Sequence, residues 1–410
     1  MRLLIVTQKV DREDDLLGFF HQWIIEFAKH CDFVTVVCLE EGTHELPGNV
    51  RVLSLGKEET RDKRQETREQ GAALRGFSTA QQRNFKFQIS NFKLAKRVKY
   101  IARLYRYIWT ERNDYNAVFV HMNTEYMVLA GWLWRLLGKR VALWHVHFEV
   151  NLRLWIAEKF AHVIFTTTPD GCRVKSKKVR PIGHGIEVAR FAGQETRDKR
   201  PARTTEVPAR LLRSGGVQSG GQETSEPIRF LYAGKITPIK NVHVLVDAAR
   251  ILKQSWNRKF VVDIVGPPTT PAYDHKLREY IAAKNLSDVV VMHGRVPYSD
   301  MSACYARATA VVNMCPTGGM DKTVLEGLAS RTLAVVANDA FSELFGEYGG
   351  ELIYPYQNAG ALAEKIKVLF SKSDVELVRM RELLHERMKA HSSLETRIPA
   401  MVNLLTTVEV

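Results

Sequence analysis

The stretch Ile228-Arg229-Phe230-Leu231-Tyr232-Ala233-Gly234-Lys235-Ile236-Thr237-Pro238-Ile239-Lys240-Asn241 decides the fold. Its first six residues form a short, largely apolar run that stops at a glycine, as a strand buried on both faces does. Lys235 follows the glycine at once, and Lys240 stands just before an amphipathic segment that begins near Val242. In an open parallel sheet, ligands bind outside the carboxyl ends of the strands. Two ammonium groups there, beside a helix N-terminus, suit a diphosphate. Read alone, they are equally two solvated loop lysines.

The unit recurs along the chain. Before it come the runs Leu3–Val6, Phe33–Cys38, Val50–Leu55, Ala117–Val120, Val141–Trp144 and Val163–Phe165. After it come Phe260–Val265, Val289–Met292, Ala310–Asn313 and Leu333–Ala337. Helical patterns lie between them, such as Phe19, Phe20, Trp23, Ile24 and Phe27. Strands alternating with helices, without hairpin signals, predict an α/β fold of two Rossmann-like, doubly wound parallel-sheet domains facing a central cleft. We place the first domain at 1–187, a disordered linker insertion at 188–227, the second domain at 228–382 and returning C-terminal helices at 383–410. Leu394, Ile398, Met401, Val402 and Leu405 have the spacing to pack back on the first domain. A second polar insertion spans about 57–82. Both insertions carry Glu-Thr-Arg-Asp-Lys-Arg, at Glu59–Arg64 and Glu195–Arg200, and few large apolar residues.

Composition narrows the class. The 410 residues are 45% hydrophobic and 25% charged, the profile of a globular protein. No apolar run reaches the ~18–20 residues that cross a bilayer, and Arg2–Val6 reads as a first strand rather than a secretory signal. Five scattered cysteines without metal-ligand spacing suggest a reducing, cytoplasmic setting. The formal charge of +14 calls for anionic partners. Much of it sits between Phe92 and Arg112, where Lys93, Lys96, Arg97, Lys99, Arg103, Arg106 and Arg112 flank a stripe of Leu94, Val98, Ile101, Tyr105 and Ile108. This basic amphipathic helix either lies on an anionic membrane surface, at the inner face, or packs with a solvated basic face. Nucleic-acid modules are lacking.

About eighty residues beyond Lys235 runs Asn313-Met314-Cys315-Pro316-Thr317-Gly318-Gly319-Met320-Asp321-Lys322-Thr323-Val324-Leu325-Glu326. A strand enters a glycine loop and then a helix with Glu326 one turn inside it. Glycines let backbone N–H groups approach an anion, and a carboxylate nearby can accept both ribose hydroxyls.

These two segments resemble the donor half of retaining GT-B glycosyltransferases, in particular glycosyltransferase family 4. That family carries Gly-Arg after the first strand of its second domain, a Lys five residues later, and Glu-(seven residues)-Glu. Gly234 and Lys235 fall on the Gly-Arg, with Lys for Arg. Lys240 falls on the Lys and Glu326 on the second Glu. Gly318 occupies the first Glu's place, a departure that bears on the sugar contact, where Gly319, Met320, Asp321 and Lys322 could present backbone amides. Gly18 matches the family's first glycine loop. His184-Gly185-Ile186-Glu187 resembles its Asn-Gly-Val-Asp turn.

The resemblance implies transfer of a sugar from a nucleotide-diphosphate sugar, UDP- or GDP-linked, to a glycan or lipid-linked glycan. It implies retention, and no metal or other cofactor; no Asp-x-Asp follows a strand. It also implies Lys235 and Lys240 on the diphosphate, Glu326 on the ribose, and a histidine on the reacting sugar. His145 and His147 both follow the strand Val141–Trp144, and alternation puts both on one side of an extended chain. His121 and His184 are acceptor-side candidates. A zinc site of His121, His145 and His147 would lack any acidic or cysteine ligand. A catalytically silent nucleotide-sugar or partner-binding protein is the alternative reading, suggested by Gly318 and the Lys-for-Arg replacement.

Overall fold

The computed structural model describes residues 1–14, 17–57, 79–147, 149–192, 226–316 and 319–408. Seven strands form the first sheet: β1 (Arg2–Val10), β2 (Phe33–Glu41), β3 (Val50–Ser54), β4 (Ala117–His121), β5 (Arg140–Trp144), β6 (Val163–Thr166) and β7 (Val179–Pro181). Their order is β3-β2-β1-β4-β5-β6-β7. Five more form the second: β8 (Ile228–Ala233), β9 (Phe260–Val265), β10 (Val290–Gly294), β11 (Ala310–Asn313) and β12 (Leu333–Val336), ordered β10-β9-β8-β11-β12. All pairs are parallel, with Val6, for example, opposite Val37 on one side and Val120 on the other. These are the two doubly wound sheets that the apolar runs predict. The strand missed from sequence is β7, three edge residues ending in a proline.

Alternation sorts the first domain's core into two layers. Leu3, Ile5, Phe119, Ala142 and Phe165 face the helices Gly18–Lys29 and Leu394–Thr407. Leu4, Val6, Val118, Val120, Leu143 and Ile164 face the helices Thr79–Thr110, Thr124–Leu136 and Leu152–Phe160. The C-terminal chain reaches the first domain through Leu394, Ile398, Met401 and Leu405, with Val402 partly buried beside them.

Four expectations shift. Thr79–Gln82, read from sequence as the end of a polar insertion, lie in the helix Thr79–Thr110. Val188–Ala192, read as linker, are helical, and Val188 and Phe191 join the second domain's core because both are apolar in an otherwise polar stretch. The C-terminal helices begin earlier, at Asp374, with a capping box between Ser373 and Glu376. That first helix belongs to the second domain through Leu377, Met380, Leu384 and Met388. The break comes at Ser393, where Ile186 donates to Ser392 and accepts from Leu394, so both interdomain crossings are tied together. Finally, the buried side of the basic helix is Leu104 and Ile108 rather than the whole predicted stripe, since Val98 is exposed. Leu94 and Lys93, like residues 58–78 and 193–225, lie outside what is described of side chains or backbone. Among the described residues no helix is long and apolar enough to cross a membrane.

Candidate active site in the interdomain cleft

In the second domain β8 ends at Gly234, whose φ of +141° is open to glycine alone. A side chain at neighbouring Gly266 would meet the Gly234 carbonyl, so the two glycines let the ends of β8 and β9 close together. Lys235 is exposed there and accepts only through its backbone, from the Tyr232 hydroxyl (3.0 Å). Lys240 ends a 3-10 turn at Pro238–Lys240, and its Nζ lies 3.0 Å from both carboxylate oxygens of Asp321. Asn313, the last residue of β11, donates to the same carboxylate at 2.8 Å. The turn is held by buried Asn241, which has φ +50° and donates to Ile239 O and the Tyr356 hydroxyl. Lys240 thus joins the ends of β8 and β11, where a parallel sheet takes its ligands.

Glu326 is buried, with Tyr305 Oη donating to one carboxylate oxygen at 2.8 Å and Tyr298 Oη to the other at 3.1 Å. Lys322 Nζ stands 3.2 Å from it, one turn earlier on the same helix. Lys322 also reaches across the cleft, 3.7 Å from the centre of the Phe19 ring. That cation–π contact spans the two domains. Gly319 closes the same seam. A Cβ there would come within 3.2 Å of Thr167 Oγ1 and 3.3 Å of Val146 Cγ1. Met320 is buried in the second domain's core and its backbone bonds His184. Gly318 lies outside the described residues.

The first domain offers its own strand ends. His121, at the end of β4, is buried, stacked 3.8 Å from Phe20, with Nδ1 3.3 Å from Thr7 Oγ1 and Nε2 unpartnered. His145 is buried with neither ring nitrogen partnered. His147 is exposed, and its Nδ1 accepts from Glu149 N. The alternation argument fails because β5 ends at Trp144 and His147 N turns to Gly171 O. The three histidines therefore do not converge as zinc ligands, and no metal-holding group of His, Cys, Asp or Glu occurs among the described residues. Gly18 is not an open glycine loop in this structure. It is buried at the start of its helix, where a Cβ would sit 2.9 Å from Arg12 O. Sequence reasoning missed Asn313, Phe19, Tyr298, Tyr305 and the unpartnered buried hydroxyls of Thr166 and Thr167. The run Thr166-Thr167-Thr168 at a strand end was the available signal for the last two.

Residues 219–389 match the family model described as glycosyl transferases group 1. No curated protein matches the chain in sequence. Solved structures do match over its length. Anabaena HepE in complex with UDP is 14% identical at TM-score 0.67, covering 99% of this chain and 100% of that one. A sucrose-phosphate synthase from Thermosynechococcus elongatus is 15% identical at TM-score 0.67, covering 99% and 98%. A glycosyltransferase from Rickettsia africae is 15% identical at TM-score 0.66, covering 100% and 99%. At such identities the likeness establishes the fold, which is GT-B.

In this GT-B fold burial keeps three of the first domain's imidazoles, His121, His145 and His184, neutral. Burial, with His147 alongside, pushes His145 down to about 4. Burial, with Lys322 nearby, pushes His121 to about 3 and His184 to about 4. The unfolded chain takes up these protons near pH 6.5 and the folded chain does not. Stability present above that pH is therefore lost as the pH falls toward 4. We expect the unfolding midpoint to drop steadily over this window, and the drop to be shallower in His145→Gln. Equal slopes in the two proteins would show that His145 is not held neutral.

Proposed function

We propose that this protein transfers a sugar from a nucleoside-diphosphate donor, UDP- or GDP-linked, to a glycan or lipid-linked glycan, with retention and without a divalent metal, in the cytoplasm. The observation that carries this reading is the Lys240–Asp321 pair, poised between the ends of β8 and β11, with the next residue, Lys322, reaching Phe19 of the first domain. HepE, of the same fold, was solved with UDP and with UDP-glucose. In the transfer the bond from the anomeric carbon to the diphosphate oxygen breaks, and negative charge collects on the leaving group. Lys240 neutralises it by exchanging Asp321 for the phosphate oxygens, and exposed Lys235 adds a second cation. Preorganised donors of this kind contribute about 2.7–4 kcal/mol each. Neutral His145, with both nitrogens unpartnered, accepts and donates to the sugar's hydroxyls. The acceptor hydroxyl attacks the face that the diphosphate leaves, and the departing phosphate takes its proton.

Glu326 is the least open of the proposed donor contacts, since two phenols and Lys322 already hold it. We assign it to setting the position of Lys322 and the Lys322–Ala329 helix, with the ribose reaching its remaining lone pairs. A thermal-shift panel of UDP-, GDP-, ADP- and dTDP-sugars tests the reading. One base should raise the midpoint, by about 2.7 kcal/mol of stabilisation at a hundredfold excess over Kd. Four flat responses would remove the donor assignment.

A further inference from the structure

The three helices that cover one face of the first sheet form the outer layer of that domain. Their inner sides share one core, through Leu104 and Ile108, through Met127, Ala130 and Trp134, and through Leu154 and Ala157. They are neighbours. Gly131 admits Phe160, whose Cβ a methyl there would meet at 2.6 Å, and Tyr105 lies 6.4 Å from Trp132. Their outer sides are not the polar surface such a layer ordinarily presents. Trp109 is 55% exposed, Trp132 47% and Trp155 54%, one on each helix. Leu136 and Leu152 are more exposed still, and Val98 lies on the Trp109 stripe at helical spacing. Scattered single apolar residues need no explanation, but three tryptophans on one continuous layer do.

On the first of these helices the charge has one sign. Residues 95–110 contain Lys96, Arg97, Lys99, Arg103 and Arg106 and no acidic residue. Arg97, Lys99 and Arg106 are exposed. Three of the acids nearby are matched, Glu125 with Arg153, Glu111 with Arg51 and Glu158 with Lys159 and Lys178. Arg112 and Lys159 lie over the rings of Trp109 and Trp155, at 4.6 and 5.1 Å. Covered ring faces are poor platforms for stacking a nucleobase. A cation beside an indole whose other edges are exposed is instead the composition found at the boundary between lipid headgroups and acyl chains. Two of the helices also begin at the cleft. Thr124 and Leu152 follow the ends of β4 and β5 that carry His121 and His145, and exposed Met122 lies between.

We propose that this three-helix face docks on an anionic lipid bilayer, with Trp109, Trp132 and Trp155 entering the headgroup layer and Arg97, Lys99 and Arg106 binding acidic headgroups. The face is wider than the single basic helix visible in the sequence, and its cleft end brings the transferase site to the bilayer surface. Docking needs no donor, so its failure leaves the proposed transfer standing, and a failed transfer leaves docking standing.

Cosedimentation of the full chain with phosphatidylglycerol–phosphatidylcholine vesicles, and with phosphatidylcholine alone, tests it. Binding to the anionic vesicles only, weakening with salt, is expected. Trp132→Ser/Trp155→Ser should lose at least about tenfold in vesicle affinity, and Lys99→Glu/Arg106→Glu a similar factor. Brominated lipid should quench the tryptophan emission of the unaltered protein, a readout that does not depend on any variant folding. Equal binding to neutral vesicles, no binding, an unaffected tryptophan variant, no quenching, or a single-stranded RNA held with the same tryptophan dependence would each overturn the proposal.

Discussion

Replacing Lys240 with alanine should lower turnover by about 10²–10³-fold, the loss typical of one preorganised electrostatic donor. The same change also disturbs the fold. Lys240 is held well above its ordinary range: burial opposes its charge, but Asp321 and the Cys315 thiol more than offset that. Asp321 is lowered in turn; burial works against it, while Lys240, Cys315 and Asn313 hold it ionised. Removing the lysine strands a carboxylate with Asn313 as its remaining amide donor, at a cost of about 1–3 kcal/mol. Adding Asp321→Asn relieves the stranded charge, so Lys240→Ala/Asp321→Asn should regain most of the stability and none of the turnover. Denaturant midpoints and initial rates on the two variants separate the roles. A double variant that recovers turnover along with stability would show that Lys240 merely supports the fold.

The second large effect concerns Glu326. Glu326→Ala leaves the half-buried Lys322 without its carboxylate and the Tyr305 and Tyr298 hydroxyls without an acceptor. Burial pulls Lys322 below its ordinary range, and Glu326 is the main group holding its charge. Breaking one side of such a pair costs about 3–5 kcal/mol. We expect a loss near that size in urea unfolding. Glu326→Gln should lose less, since the amide oxygen still accepts from a phenol. Glu326→Leu/Lys322→Met removes both partners and should lie closer to the unaltered protein than Glu326→Ala does. If Glu326→Ala unfolds at the unaltered midpoint but no longer binds donor, the residue is a ribose contact and not a support.

These two residues also mark how far the sequence could be read. Eleven of the twelve strands among the described residues were legible because a parallel strand buried on both faces leaves an unbroken apolar run, as Val141–Trp144 and Leu333–Val336 do. β7 has only Val179 to announce it. Lys240 and Glu326 stood out by their place after a strand and inside a helix, but their partners did not. Asp321 is 81 residues from Lys240, and Tyr298 and Tyr305 are 28 and 21 residues from Glu326. Such pairings arise only when sheet order is known. The histidines show the same limit at shorter range. His145 and His147 differ in burial because the backbone leaves the strand at Trp144, a local turn that two-residue alternation cannot register. Phe19 was visible as one apolar residue of a helix, yet its ring face meets Lys322 of the other domain. Contacts between domains carry no local sequence signal.

Titration calorimetry of a nucleoside diphosphate against its own monophosphate, in the unaltered protein and in Lys240→Ala/Asp321→Asn, tests the central claim most directly. The account predicts that the unaltered protein binds the diphosphate at least about tenfold more tightly, and that the double variant binds both alike. A diphosphate preference that survives in the variant would contradict it.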